Sequence, residues 1–153
     1  MKSVLISIQP EYVFEIVCGF KTSEVRKTFP KNIELPFRVY IYCTKGNINY
    51  PFASEDADMV SYILNGSVIG YFDCINYCCI SDLYSLNPNL MNKSNLTFNK
   101  LKDYSKGKLL YFWNFEKCNE YFPRKSLEDF GLKRAPQDWC YVEVDESISG
   151  ELL

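Results

Sequence analysis

Phe37 to Thr44 read FRVYIYCT, an almost unbroken run of aromatic and β-branched residues that has the character of a strand and commits the chain to building a sheet. Its neighbours agree. Val4 to Ile8 alternates apolar with small polar residues, and Pro10, with Glu11 beside it, opens a helix over Glu11 to Cys18 that Gly19 terminates. Thr22 to Phe29 alternates again, so the chain begins β-α-β-β. Further on, the turn dipeptide Asn65-Gly66 launches Ser67 to Ile80, long enough for one bent or bulged strand. Leu109 to Phe115 and Cys140 to Val144 read as later strands. Helical signals are short. Tyr50 to Leu64 carries Glu55, Asp56 and Asp58 ahead of apolar residues, Leu96 to Tyr104 has a weak helical period broken by Gly107, and Ser126 caps a short helix through Phe130. Asn87 to Asn95, rich in turn formers, reads as an exposed loop. Five or six strands with two or three short helices and little βαβ rhythm predict an α+β fold, a mixed and partly closed β-barrel.

A chain of 153 residues, 47% hydrophobic and 16% aromatic, can bury one core, so a single domain over 1–153 is expected. The formal charge of −2 argues against a sequence-independent grip on a long phosphate backbone, and any nucleic-acid contact should be local. The sign is uneven. Lys21 to Lys45 sets six cations against Glu24 and Glu34, Lys93 to Lys108 sets five lysines against Asp103, and Glu143 to Glu151 holds acids only. Solvated surface charge is the competing reading of those runs. Seven cysteines without an apparent leader sequence suggest reduced thiols and a cytoplasmic protein. No C-x-x-C pair and no histidine argue against a metal site, and no apolar run approaches membrane-spanning length. Neither a cofactor nor a membrane is expected.

The segment Gly19-Phe20-Lys21-Thr22-Ser23-Glu24-Val25-Arg26-Lys27 resembles the G-x-K-T-x-E-x-R-K signature of ASCH domains. Val39-Tyr40-Ile41-Tyr42 with Thr44, Val68-Ile69-Gly70-Tyr71-Phe72, and the closing Arg134-Ala135-Pro136-Gln137-Asp138-Trp139-Cys140-Tyr141-Val142 are similar to further parts of that family, in the same order. The ending resembles a bacterial and phage branch of small ASCH proteins. This resemblance implies a PUA-like barrel with a cleft beside the first helix, and RNA as ligand. One enzymatic branch hydrolyses the amide of acetylated cytidine with a lysine, a threonine and a later carboxylate; another is a ribonuclease group. Lys21 matches the lysine and Asp73 falls near the carboxylate, while Glu24 stands where that branch carries its threonine. Trp113-Asn114 replaces a Trp-His pair of the small ASCH proteins.

Without histidine, proton transfer near neutral pH must rest on a lysine or a carboxylate shifted by its surroundings, which makes Lys21, Glu24 and Asp73 the catalytic candidates. In a strand Thr22, Glu24 and Arg26 share one face, alternate residues lying roughly 6.5–7 Å apart, so Glu24 and Arg26 can organise one site. The alternative is an ion pair that only satisfies itself inside a barrel. Tyr42 and Trp139 are candidates to line a cleft where a base stacks, although core packing explains them equally. Ser7 and Gln9 flank the end of the first strand and are weaker candidates. The leading expectation is an RNA- or modified-nucleoside-binding protein, with hydrolysis as an open question. The alternative is a module that binds another protein, such as a phage-encoded modulator.

Overall fold

A computed structural model describes residues 1–45 and 65–145. The helix expected over Tyr50 to Leu64 lies outside the described residues, as does the end of the acidic segment beyond Asp145. The chain opens with β1 (Lys2–Ile8), α1 (Pro10–Val17), β2 (Ser23–Arg26) and β3 (Phe37–Cys43), in the order the sequence indicates. β4 (Ser67–Cys74), β5 (Asn76–Ile80), α2 (Pro88–Ser94), α3 (Phe98–Ser105), β6 (Leu110–Asn114), β7 (Cys118–Lys125) and β8 (Trp139–Glu143) follow. A mixed five-stranded sheet runs β7-β4-β3-β1-β8, and an antiparallel sheet runs β2-β6-β5. The fold is α+β, and the two sheets are not joined into a closed barrel.

β3 lies at the centre of the larger sheet, parallel to β1 and antiparallel to β4. Its alternation serves two cores. Val39, Ile41 and Cys43 join Val13 and Ile16 of α1, Phe72 and Trp113 in one cluster, while Tyr40 and Tyr42 join Leu5, Val68 and Phe130 in another. Val25, Leu101, Leu110 and Phe112 form a third cluster, between the small sheet and the α2–α3 pair.

Eight strands among the described residues exceed the five or six expected. Ser67 to Ile80 is two strands, because Ile75 donates its N–H to Asn114 and the chain passes from β4 in the larger sheet to β5 in the smaller. β7 went unseen because Pro123 and a run of polar residues mask its pattern; proline is tolerated there because β7 pairs only with β4 and forms the sheet edge. The expected loop at Asn87 to Asn95 is instead α2. Its turn formers are caps: the Asn87 side chain accepts from the Asn89 N–H, Pro88 takes the first helical position, and Asn95 closes the helix at φ 56°. Among the described residues no helix is long and apolar enough to cross a membrane.

Candidate functional site

α1 ends where Gly19 turns at φ 83°, which lets the N–H groups of Phe20 and Lys21 both reach back to the Glu15 carbonyl at 2.9 and 3.1 Å. The reversal drives Lys21 inward. Thr22 then donates its N–H to the Lys93 carbonyl at 2.8 Å and accepts from Phe115 at 3.0 Å, fixing the start of β2 between α2 and the end of β6. Along β2, Val25 points into the core beneath α3, while Glu24 and Arg26 share the opposite face, across from Trp113 and Tyr111.

Lys21 is 2% exposed and Glu24 is 5% exposed. The Lys21 ammonium donates to the Ser94 carbonyl at 2.7 Å, stands 3.7 Å from Glu24 Oε1 and lies 5.6 Å from the centre of the Tyr12 ring. Glu24 Oε2 accepts from Arg26 Nε at 2.9 Å and is 2.7 Å from Nη2. Arg26 continues the chain, pairing through Nη1 with Asp138 and donating through Nη2 to the Ser7 carbonyl at 2.8 Å. Asp138 sits just ahead of β8, held by a 2.9 Å bond from the Ser7 N–H to its carbonyl and by Thr28 Oγ1 at 3.3 Å. Lys21, Glu24, Arg26 and Asp138 thus form a row of alternating charge. Lys21, Glu24 and Arg26 can stay largely buried because each ion has a partner, and Asp138 closes the row at its half-exposed end.

Burial pushes the Lys21 ammonium below its ordinary 10.5, although Glu24 and Glu15 pull the other way. Burial also works against the Arg26 guanidinium, but Glu24 and Asp138 outweigh it and raise its pKa. Above this row lies a cavity of about 550 Å³, walled by Tyr12 of α1, Lys100 and Tyr104 of α3, and Ser7 and Gln9 at the end of β1.

Solved structures of similar form come from Zymomonas mobilis. Its ASCH protein superposes with a TM-score of 0.67 at 22% identity, covering 95% of this chain and 91% of that one. A mutant of the same protein gives 0.68 at 21% identity over 97% and 96% of the two chains. The chain has the ASCH fold. No family model and no curated protein sequence matches it.

Within this ASCH fold, Lys21, Glu24 and Arg26 meet in the cavity. Other sequence-predicted residues go elsewhere. Asp73 is directly opposite Arg38 in the β3–β4 register and pairs with it at 3.0 Å, beside a separate depression that also holds Lys2 and Lys31. A cross-strand ion pair engages its carboxylate, and the structure places Asp73 with Arg38, apart from the Lys21 cavity. Tyr42 is buried in the second core cluster, on the face of β3 turned away from α1. Thr22 contributes its backbone to the anchoring of β2 and does not line the cavity. Trp139 is half-buried, edge-on to Trp113 and Tyr141, and donates to Thr28 Oγ1 at 2.8 Å; it supports the Thr28–Asp138 contact from outside the cavity.

Sequence reasoning missed Asp138, Tyr12, Lys100 and Tyr104. Asp138 stood inside the quoted ending of the chain, and only the β1–β8 pairing places it against Arg26. Lys100 and Tyr104 are four apart on a helix, a spacing that puts both on one face.

Proposed function

We propose that the cavity beside α1 receives one base of an RNA or of a modified nucleoside. The observation that carries this is the buried Glu24 carboxylate, held between two cations at the floor of a cavity of nucleoside dimensions. Small-molecule sites are typically about 300–1,000 Å³. A carboxylate has about four acceptor directions, so Glu24 keeps capacity for an exocyclic amino group, as acidic side chains do with cytosine N4. Lys21 gives one ammonium proton to Ser94 and keeps others for a base carbonyl. Tyr12 and Tyr104 supply ring faces for stacking. The floor is close to neutral overall, which suits an uncharged base better than a polyanion. The sequence resemblance to ASCH domains points to the same ligand class.

Amide hydrolysis in this cavity would run on Lys21 and Glu24 without Asp73. Lys21 would polarise the acyl oxygen, and Glu24 would take a proton from the water that attacks the acyl carbon and return it to the cytosine amine that leaves as the C–N bond breaks. Turnover of acetylcytidine retained in Lys21→Ala would rule out this role for Lys21, and no turnover in wild type would leave binding alone.

The test is a thermal-shift screen against nucleosides, acetylcytidine and short single-stranded RNAs, repeated with Lys21→Ala and Glu24→Gln. A ligand at a hundred times its Kd stabilises by about 2.7 kcal/mol, a shift of roughly 5–11 °C for a chain of this size. Stabilisation by one base type, lost in both variants, supports the proposal. No shift with any nucleic-acid component, together with salt-insensitive capture of one protein, would transfer the surface to the interaction-module reading.

A further inference from the structure

The second basic run of the sequence has no role in the cavity floor. It covers the end of α2, all of α3 and the residues that follow, and Lys93 to Lys108 sets five lysines against Asp103. This helical pair is tied to the site at two points, Lys21 Nζ to the Ser94 carbonyl and Thr22 N–H to the Lys93 carbonyl. The cavity mouth therefore carries charge unlike that of its floor. Lys21 and Arg26 below are matched by Glu24 and Asp138, whereas neither Lys100 nor Lys27 has an ion-pair partner among the described residues. Lys100 lines the cavity one helical turn before Tyr104, and the Lys27 ammonium stands over the Tyr104 ring, 4.7 Å from its centre.

We propose that Lys27 and Lys100 form a phosphate site around Tyr104 at the mouth of the cavity, so that the ligand is a nucleotide rather than a free nucleoside. The inference rests on the base-binding reading of the floor and adds the group attached to the ligand's sugar. The chemistry is a neutral base read by buried, paired charges and an anionic phosphate met by one exposed and one partly exposed lysine, neither in an ion pair among the described residues. Contact between Lys27 and the Tyr104 ring pre-positions one ammonium, and α3 carries Lys100 on the cavity wall one turn from that ring. Two lysines suit one or two phosphates, in keeping with a chain of net charge −2 that lacks a long basic track. A mononucleotide and one residue of an RNA chain share this chemistry.

The experiment is calorimetric titration of the full chain at 50 and 200 mM salt. Probes are the four ribonucleosides, their 5′- and 3′-monophosphates, the matching dinucleotides and inorganic phosphate. Wild type is compared with Lys27→Gln/Lys100→Gln and with the charge-preserving Lys27→Arg/Lys100→Arg. The double Gln variant replaces exposed or partly exposed side chains, and circular dichroism checks that it is folded. The expected result is a monophosphate that binds about tenfold or more tighter than its nucleoside at low salt, each lysine being worth about fivefold at most. That ratio falls to near one in the Gln variant, returns in the Arg variant and shrinks with salt. A dinucleotide tighter than both monophosphates identifies RNA as the source of the phosphate; a dinucleotide no tighter identifies a mononucleotide. Equal affinity of nucleoside and monophosphate in wild type, or a ratio unchanged by the Gln substitutions, overturns the phosphate site while leaving the base site standing. No binding by any probe overturns both.

Discussion

Glu24 is the single anion between Lys21 and Arg26, and replacing it tests whether the buried row of charge is organised as described. At an effective dielectric of 20, its separations of 3.7 Å from Lys21 and 2.7 Å from Arg26 correspond to gross attractions of about 4.5 and about 6 kcal/mol. Removing the charge returns the several kcal/mol spent on desolvating the carboxylate, and an amide still accepts a hydrogen bond from Arg26. Orphaned Lys21 then dominates the loss, because Arg26 keeps Asp138. Glu24→Gln should cost about 3–5 kcal/mol, the usual loss on breaking a buried pair. Lys21→Met behaves differently. It loses the bond to Ser94 and the Glu24 attraction, relieves an ammonium that burial already disfavours, and leaves Glu24 paired with Arg26. Its net effect should lie within about 1–2 kcal/mol of zero, and in the double variant it should recover part of the Glu24→Gln loss. Guanidinium denaturation at pH 7 measures all three, and the Tm of Glu24→Gln should fall by roughly 6–20 °C. Lys21→Met costing more than Glu24→Gln, or Glu24→Gln within about 1 kcal/mol of wild type, would refute the reasoning.

Other outcomes follow from separate parts of the fold. Burial pushes the Cys43 and Cys74 thiols up to about 12 from 9.0. The unfolded chain therefore sheds these protons first, and stability falls as pH rises from 9 toward 12. The loss should be about 1.4 kcal/mol per thiol at pH 10. Lys21, shifted the other way, opposes this trend, so the comparison is of slopes: Cys43→Ala should show a shallower decline between pH 8.5 and 10 than wild type in urea titrations. At Gly70, in the bulge where β4 meets β7, a Cβ would stand 2.1 Å from the Asn119 carbonyl oxygen and 2.9 Å from Glu120 Cα. Gly70→Ala should cost about 3 kcal/mol or more, whereas Gly19→Ala, at φ 83° with open space around it, should cost about 1–2 kcal/mol. Asp73→Asn should leave nucleoside and RNA affinity unchanged in calorimetry, because Asp73 lies with Arg38 beside a different depression.

Much of the fold was legible because local signals agree with it. FRVYIYCT is the central strand, Pro10 and Gly19 bracket α1 within a residue, and the G-x-K-T segment delivers Lys21 and Glu24 to one cavity. What escaped depends on pairing between distant segments. β7 looks polar because only one partner strand shapes it, and α2 looks like a loop because its asparagines and proline serve as caps. Asp73 was assigned from its position after Phe72, yet the β3–β4 register turns it to Arg38. Asp138 was in plain view, but its role follows from β8 lying against β1, more than a hundred residues away in the chain. Alternation indicated that Glu24 and Arg26 share a face; it carried no information on Lys100 and Tyr104 of α3 lining the same cavity.

The most direct test of the account is an amide NMR titration of the isotope-labelled chain with short single-stranded RNA of mixed sequence. The expected result is a set of saturable shift changes confined to Ser7–Tyr12, Lys21–Lys27, Thr44, Leu96–Tyr104 and Gln137–Asp138, the segments around the cavity and its mouth. Changes centred on Lys2, Arg38 and Asp73 instead, or none at millimolar RNA, would contradict it.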